Sequence, residues 1–112
     1  MSNGMKEDKT LKVIKIIKMA AADFIQLESN GASLITITDV RLSKDENCAN
    51  ILFTVLPEEK EEAVLEFMKR MRSEFRQYIK TKTRLGRIPT FDFQIDFGEK
   101  HRQKIDLISL KS

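Results

Sequence analysis

Residues 90–97 read TFDFQIDF, with Phe91, Phe93, Ile95 and Phe97 alternating against Thr90, Asp92, Gln94 and Asp96. A period of two gathers the four apolar side chains on one face of a β-strand, which must be buried, and leaves the polar four outside. Pro89 opens this strand and Gly98 ends it. Just upstream, Ala63, Val64, Phe67, Met68, Met71, Phe75, Tyr78 and Ile79 hold helical phase through residues 63–79. The pattern fits one long helix, or two helices meeting near Met71, Arg72 and Ser73. Pro57 suits a first helical position, where its missing N–H costs nothing, and Glu58, Glu59, Glu61, Glu62 and Glu66 complement the positive helix N-terminus. Lys80, Lys82 and Arg84 suit the opposite pole, and Gly86 is the stop.

Before that helical block lie two β-rich runs. Residues 33–42 carry Leu34, Ile35, Thr36, Ile37 and Thr38, and residues 49–56 place Ile51, Phe53 and Val55 on one face. The polar stretch from Ser43 to Asn47 between them predicts an antiparallel hairpin. Further upstream, Val13, Ile17, Ala20, Ala21 and Phe24 recur at helical spacing and predict a helix over residues 9–27. Asp8 or Thr10 would cap its start, and Asn30-Gly31 would stop it.

The order is helix, strand, strand, helix or helix pair, strand, tail. Strands two and three flank a helical crossover, so they should run parallel with the usual right-handed connection. The predicted architecture is a single α+β domain, a three-stranded mixed sheet with helices packed on one face. Residues 99–112 form a tail whose Ile105, Leu107, Ile108 and Leu110 suit a short terminal helix or a frayed end.

Length and composition narrow the functional classes. At 112 residues the chain has the size of one domain, and 41% hydrophobic residues supply one modest core. No apolar run reaches the ~18 residues of a membrane span, and the first ten residues lack a secretory stretch, so the expectation is a cytoplasmic protein with no membrane partner. A single cysteine, Cys48, and a single histidine, His101, exclude an internal disulfide and a Cys/His zinc site. Neither a phosphate loop nor a dinucleotide motif is present, and Asp39, Asp92 and Asp96 read as solvated strand carboxylates; no catalysis and no cofactor is expected.

Charge is more informative in distribution than in total. The formal net charge is only +3, yet residues 69–87 hold eight basic residues, Lys69, Arg70, Arg72, Arg76, Lys80, Lys82, Arg84 and Arg87, against the single acid Glu74. Such a strip points to a polyanion. Arg72, Arg76 and Lys80, at spacings of four, share a helix face, Arg84 and Arg87 extend it into the following loop, and the arginines need no core role. Lys12, Lys15 and Lys18 on the first helix either join this surface or form an ordinary solvated face. Phe91, Phe93 and Phe97 are assigned to the core, and Tyr78 to the core in preference to base stacking.

The α-β-β-α-α-β order is that of type II KH domains, and particular residues narrow the resemblance. Ile35-Thr36-Ile37-Thr38-Asp39-Val40, then Ser43-Lys44-Asp45 and Ala49, then Arg84-Leu85 leading through Ile88-Pro89 to Phe93, and finally Lys104-Ile105-Asp106, resemble the ribosome-binding factor A family in order and spacing. In that family a helix-kink-helix replaces the KH glycine loop. Alignment places the kink at Met71, Arg72 and Ser73, and no GxxG lies between the two helices here.

The resemblance implies a KH-like ribosome-binding domain over residues 1–98 followed by the tail. It implies a non-catalytic assembly factor that binds the immature 30S small subunit and its 16S rRNA, acts as a monomer, and assists late maturation, including 16S 5′-end processing and adaptation to cold. Its RNA-binding residues would be Lys12, Lys15, Lys18, Lys69, Arg72, Arg76, Lys80, Lys82, Arg84 and Arg87. The residues alone also fit another KH-like RNA-binding module, or an interaction domain docking an acidic partner.

Overall fold

In the computed structural model, residues 2–28 and 31–111 are described, with side chains described over 9–28 and 31–105. The elements are α1 (Ser2–Glu28), β1 (Leu34–Leu42), β2 (Cys48–Leu56), a 3-10 turn (Glu58–Lys60), α2 (Glu61–Arg70), α3 (Arg72–Lys82), β3 (Thr90–Ile95) and α4 (Phe97–Lys111). The sheet order is β1-β2-β3, with β1 antiparallel and β3 parallel to the central β2. The α+β architecture is therefore the expected one, extended by α4.

Burial follows the alternation in the sequence. Ile51, Phe53 and Val55 of β2 and Phe91 and Phe93 of β3 meet Ile17, Ala21, Phe24 and Ile25 of α1, Met68 of α2, and Phe75 and Ile79 of α3. Phe75 is the hub. It is fully buried, and its ring centre lies 4.8 Å from Phe91, 5.3 Å from Phe24 and 5.7 Å from Phe93, in the tilted and edge-on geometries that aromatic quadrupoles favour. Tyr78 stacks on Phe24 at 5.4 Å, the core role assigned to it.

β1 reaches the core in two phases. Ile35 and Ile37 face it opposite Val55 and Phe53, whereas Val40 and Leu42 face it opposite Ile51 and Ala49. The parity changes because the register slips between Ile37 and Asp39, so that Thr38 is an extra residue. Such a bulge keeps both apolar sets on one face.

Several boundaries differ from those read in the sequence. α1 starts at Ser2, so Asp8 and Thr10 lie inside the helix and not at its start. Gly31 does take the left-handed conformation expected of a stop, at φ +79, while Asn30 lies outside the described residues. Pro57 precedes the helical turn in extended conformation, φ −72 and ψ 156, with a cis Leu56–Pro57 bond, so it is not the first helical residue.

At the other end of the block, α3 stops at Thr83, three residues before Gly86. There the Thr83 amide and hydroxyl both donate to the Ile79 carbonyl, at 3.0 and 2.7 Å, which closes the last turn without glycine. β3 ends at Ile95, and Phe97 opens α4 with 61% of its surface exposed, so it is not a core residue. The reason is Asp96. Its carboxylate accepts the Glu99 amide at 3.0 Å, an N-terminal cap that starts a helix where alternation alone predicts one more strand residue, and Gly98 falls inside that helix.

Candidate nucleic-acid interface

The helical block is two helices. Met71 breaks it with φ −88 and ψ 7, and its amide is shared between the carbonyls of Phe67 and Met68, each at 3.1 Å. Neither glycine nor proline is at the break. What holds it is polar. Asp92, on edge strand β3, receives Lys69 Nζ at 3.1 Å and an Arg72 guanidinium nitrogen at 3.4 Å, while Arg72 Nε donates to the Lys69 carbonyl at 3.0 Å. One residue from each helix is thus tied to the same carboxylate. Partial burial pushes Asp92 up, but the Lys69 hydrogen bond, the Phe93 amide and the charges of Lys69 and Arg72 outweigh it and hold the carboxyl below its usual range.

The eight cations counted against Glu74 are therefore not equivalent, since Lys69 and Arg72 meet Asp92 across the fold. Arg76 has a structural task that the sequence did not suggest: it donates to the carbonyls of Ile88 and Pro89 at 3.1 and 2.9 Å, pinning the loop of residues 83–89 to α3. Arg87 donates to the Asn47 side chain. Lys80, Lys82 and Arg84 are exposed, and no carboxylate lies within ion-pair distance of them among the described residues. Arg76 and Lys80 also line one shallow groove of ≈ 310 Å³ with Ser73, Gln77, Gly86 and Ile88.

The hairpin turn joins this surface. Asp45 accepts the Ser43 hydroxyl at 2.7 Å, the Asn47 amide at 3.1 Å and the Asn47 side-chain nitrogen at 2.9 Å, and these bonds hold its carboxyl below the usual range. In the turn so built the Asn47 carbonyl accepts the Thr90 amide at 2.8 Å and the Asn47 side-chain oxygen accepts from Arg87, while Thr10 of α1 donates to Glu46 at 3.4 Å. The hairpin tip, the loop ahead of β3 and an early turn of α1 therefore adjoin at one end of the molecule. Exposed Lys44 sits at this tip. The sequence reading passed over it as a turn residue, and only the proximity of Arg87 places it with the cations.

Lys12, Lys15 and Lys18 are exposed along α1, with no carboxylate at ion-pair distance among the described residues. α1 packs beside α3 through Phe24 on Phe75 and Tyr78, so both helices present their outer faces on the side away from the sheet. The structure thus brings Lys80, Lys82, Arg84, Arg87 and Lys44 toward the hairpin end and sets the α1 lysines alongside. Lys69 and Arg72 instead sit at the β3 edge with Asp92.

Against known proteins, the family model described as ribosome-binding factor A matches residues 9–109. Ribosome-binding factor A of Thermodesulfovibrio yellowstonii is 30% identical over 101 residues, covering 90% of this chain and 86% of the relative. That of Kosmotoga olearia is 31% identical over 99 residues, covering 87% and 78%. The crystal structure of ribosome-binding factor A from Thermus thermophilus superposes with a TM-score of 0.67 at 26% identity, covering 76% of this chain and 92% of that one. A homology model of the Thermus thermophilus ribosome binding factor A, as fitted into the cryo-EM map of a 30S complex, gives 0.62 at 28% identity, covering 70% and 86%. By family model, by relatives and by fold, the chain belongs to the ribosome-binding factor A family.

Proposed function

We propose that this protein is a non-catalytic assembly factor that binds the immature 30S subunit through its 16S rRNA. In this reading it acts in the cytoplasm as a monomer and assists late maturation, including 16S 5′-end processing and adaptation to cold. Residues 1–98 are the binding domain, and residues 99–112 an appendage to it.

The observation that carries the reading is the set of exposed cations with no carboxylate at ion-pair distance among the described residues, Lys12, Lys15, Lys18, Lys80, Lys82 and Arg84. A Thermus thermophilus relative fitted into a 30S complex supports the choice of target. Cations held on a rigid α+β frame neutralise phosphates and read the shape of folded RNA more than base sequence. Arg72, Arg76, Arg87 and Lys69 take part only by sharing their present intramolecular partners with phosphate.

The test is co-sedimentation with isolated 30S subunits, 50S subunits and naked 16S rRNA across a salt series. Saturable one-to-one binding to 30S is expected, with a log-log salt slope of about −3.5 to −4.5 for ~5 neutralised phosphates. Binding that ignores salt, or equal binding to every RNA, would overturn the proposal.

A further inference from the structure

Between α3 and the loop of residues 83–89 runs the groove of ≈ 310 Å³ lined by Ser73, Arg76, Gln77, Lys80, Gly86 and Ile88. Its charged lining has one sign. Arg76 and Lys80 are cations, no acid lines it, and exposed Ser73 and Gln77 add neutral hydrogen-bonding groups. Half-buried Ile88, packed against the core, is its apolar wall. Gly86 leaves room, since a Cβ at that position would meet no atom within 4 Å.

Two features separate this lining from exposed cations such as Lys82 and Arg84. The Arg76 guanidinium is fixed, because one of its nitrogens donates to the carbonyls of Ile88 and Pro89 at 3.1 and 2.9 Å. Guanidinium N–H groups donate in the plane of the group, so a phosphate has to share those bonds, whereas a flat ring stacked on the guanidinium face leaves both in place. The groove is also concave and stands at the small end of ligand sites, which run from about 300 to 1,000 Å³. A duplex turns its bases inward and offers such a groove only phosphates.

Resting on the reading of this surface as an RNA interface, we propose that the groove takes one unpaired nucleotide of that RNA. Its base stacks on the Arg76 guanidinium against Ile88, the Gln77 amide pairs with the base edge, and Lys80 receives the adjoining phosphate. An amide sets a donor beside an acceptor, as every base edge does, so the groove requires a base without selecting strongly among the four. A chain of carboxylates would meet the same cations but has no ring for the guanidinium face.

The probe is tetrauridylate titrated into isotope-labelled full-length protein, with backbone amide shifts as the readout. Saturating shifts at residues 73–80 and 86–88 are expected. A tetranucleotide of abasic sugars keeps the phosphates and loses the stack, and should bind about ten-fold more weakly. Gly86→Leu should weaken tetrauridylate about ten-fold while keeping the amide spectrum of the folded domain. It removes no charge, and the position is exposed, outside the left-handed region and open to a side chain. Lys80→Gln should make the log-log salt slope shallower by about 0.7, one phosphate of a single strand.

Three results would overturn the proposal: equal affinity for the abasic tetranucleotide, binding unaffected by Gly86→Leu, or the same shifts from a tetraglutamate peptide. The 30S co-sedimentation test separates this conclusion from the one it rests on. Saturable 30S binding without base-dependent tetranucleotide binding ends this inference alone, and base-dependent binding without preference for 30S ends the assembly-factor reading alone.

Discussion

Asp92→Asn should loosen the junction between α2 and α3 and do so only where the carboxyl is charged. The substitution keeps a side-chain oxygen to accept the Phe93 amide, now at 2.9 Å, and removes the charge that draws Lys69 at 3.1 Å and Arg72 at 3.4 Å. Both pairs are partly solvated, with Lys69 and Arg72 side chains 40% and 50% exposed, so each is worth a fraction of 1 kcal/mol and the two together about 1 kcal/mol. On a domain of this size that lowers the melting temperature by about 3–5 °C. Because the folded state holds this carboxyl below its ordinary value of 3.8, the contribution is complete above that value and disappears as pH falls through the lowered folded pKa. Thermal unfolding followed by circular dichroism should therefore show a deficit at pH 7 that closes at an acid pH below the lowered folded value. It should also shrink at pH 7 in 1 M salt. An equal deficit at both pH values would mean that the loss comes from packing or from the amide itself. Additivity with Lys69→Gln would refute the ion pair.

Phe75→Ala should remove ~3–5 kcal/mol from a total of ~5–15 kcal/mol, because the ring it deletes contacts three other aromatic side chains; a urea midpoint close to the parent's would contradict its place at the hub. Arg76→Ala should cost about 1 kcal/mol and raise amide exchange across residues 83–89, since it leaves the Ile88 and Pro89 carbonyls without their donor. Unchanged exchange there would show the contact to be incidental. Lys82→Glu with Arg84→Glu should leave stability within about 0.5 kcal/mol, as exposed positions usually do, and make the 30S salt slope shallower by about 1.4–1.8. A slope equal to the parent's would place the phosphate contacts elsewhere.

The fold was legible where periodicity had one physical solution. Phe91 and Phe93 at a spacing of two, and Phe75 and Ile79 at a spacing of four, could be buried together only by laying helices on one face of a sheet. What escaped the reading was polar and non-local. The phase change in β1, from Ile35 and Ile37 to Val40 and Leu42, is visible in the string of residues once the bulge is known, yet periodicity alone reads it as the fading of a strand. In the sequence Asp92 and Asp96 read as solvated because they alternate with apolar residues. In the fold they have the most specific tasks on β3 and just beyond it: Asp92 ties α2 to α3, and Asp96 caps α4 while accepting the Thr38 hydroxyl at 2.6 Å from the bulge.

The same distinction changes how the basic strip has to be understood. Counted along the chain, its cations are equivalent; in the folded molecule they separate by what already satisfies them. Lys69 and Arg72 meet Asp92, and Arg76 and Arg87 hold the loop ahead of β3 against α3 and the hairpin. A phosphate approaching those four competes with a partner already in place, and its gain is the difference between two similar contacts. At Lys80, Lys82, Arg84 and Lys44 it displaces only water and counterions, so the gain is nearly the whole contact. Arg76 and Arg87 thus fix the shape of the loop and the hairpin, and under the proposed function that shape would set the spacing at which the outer cations meet RNA. A reversal of charge at Arg76 would lower affinity by moving the surface, whereas a reversal at Lys82 would lower it by removing a contact. Only the first of these should carry a loss of stability with it.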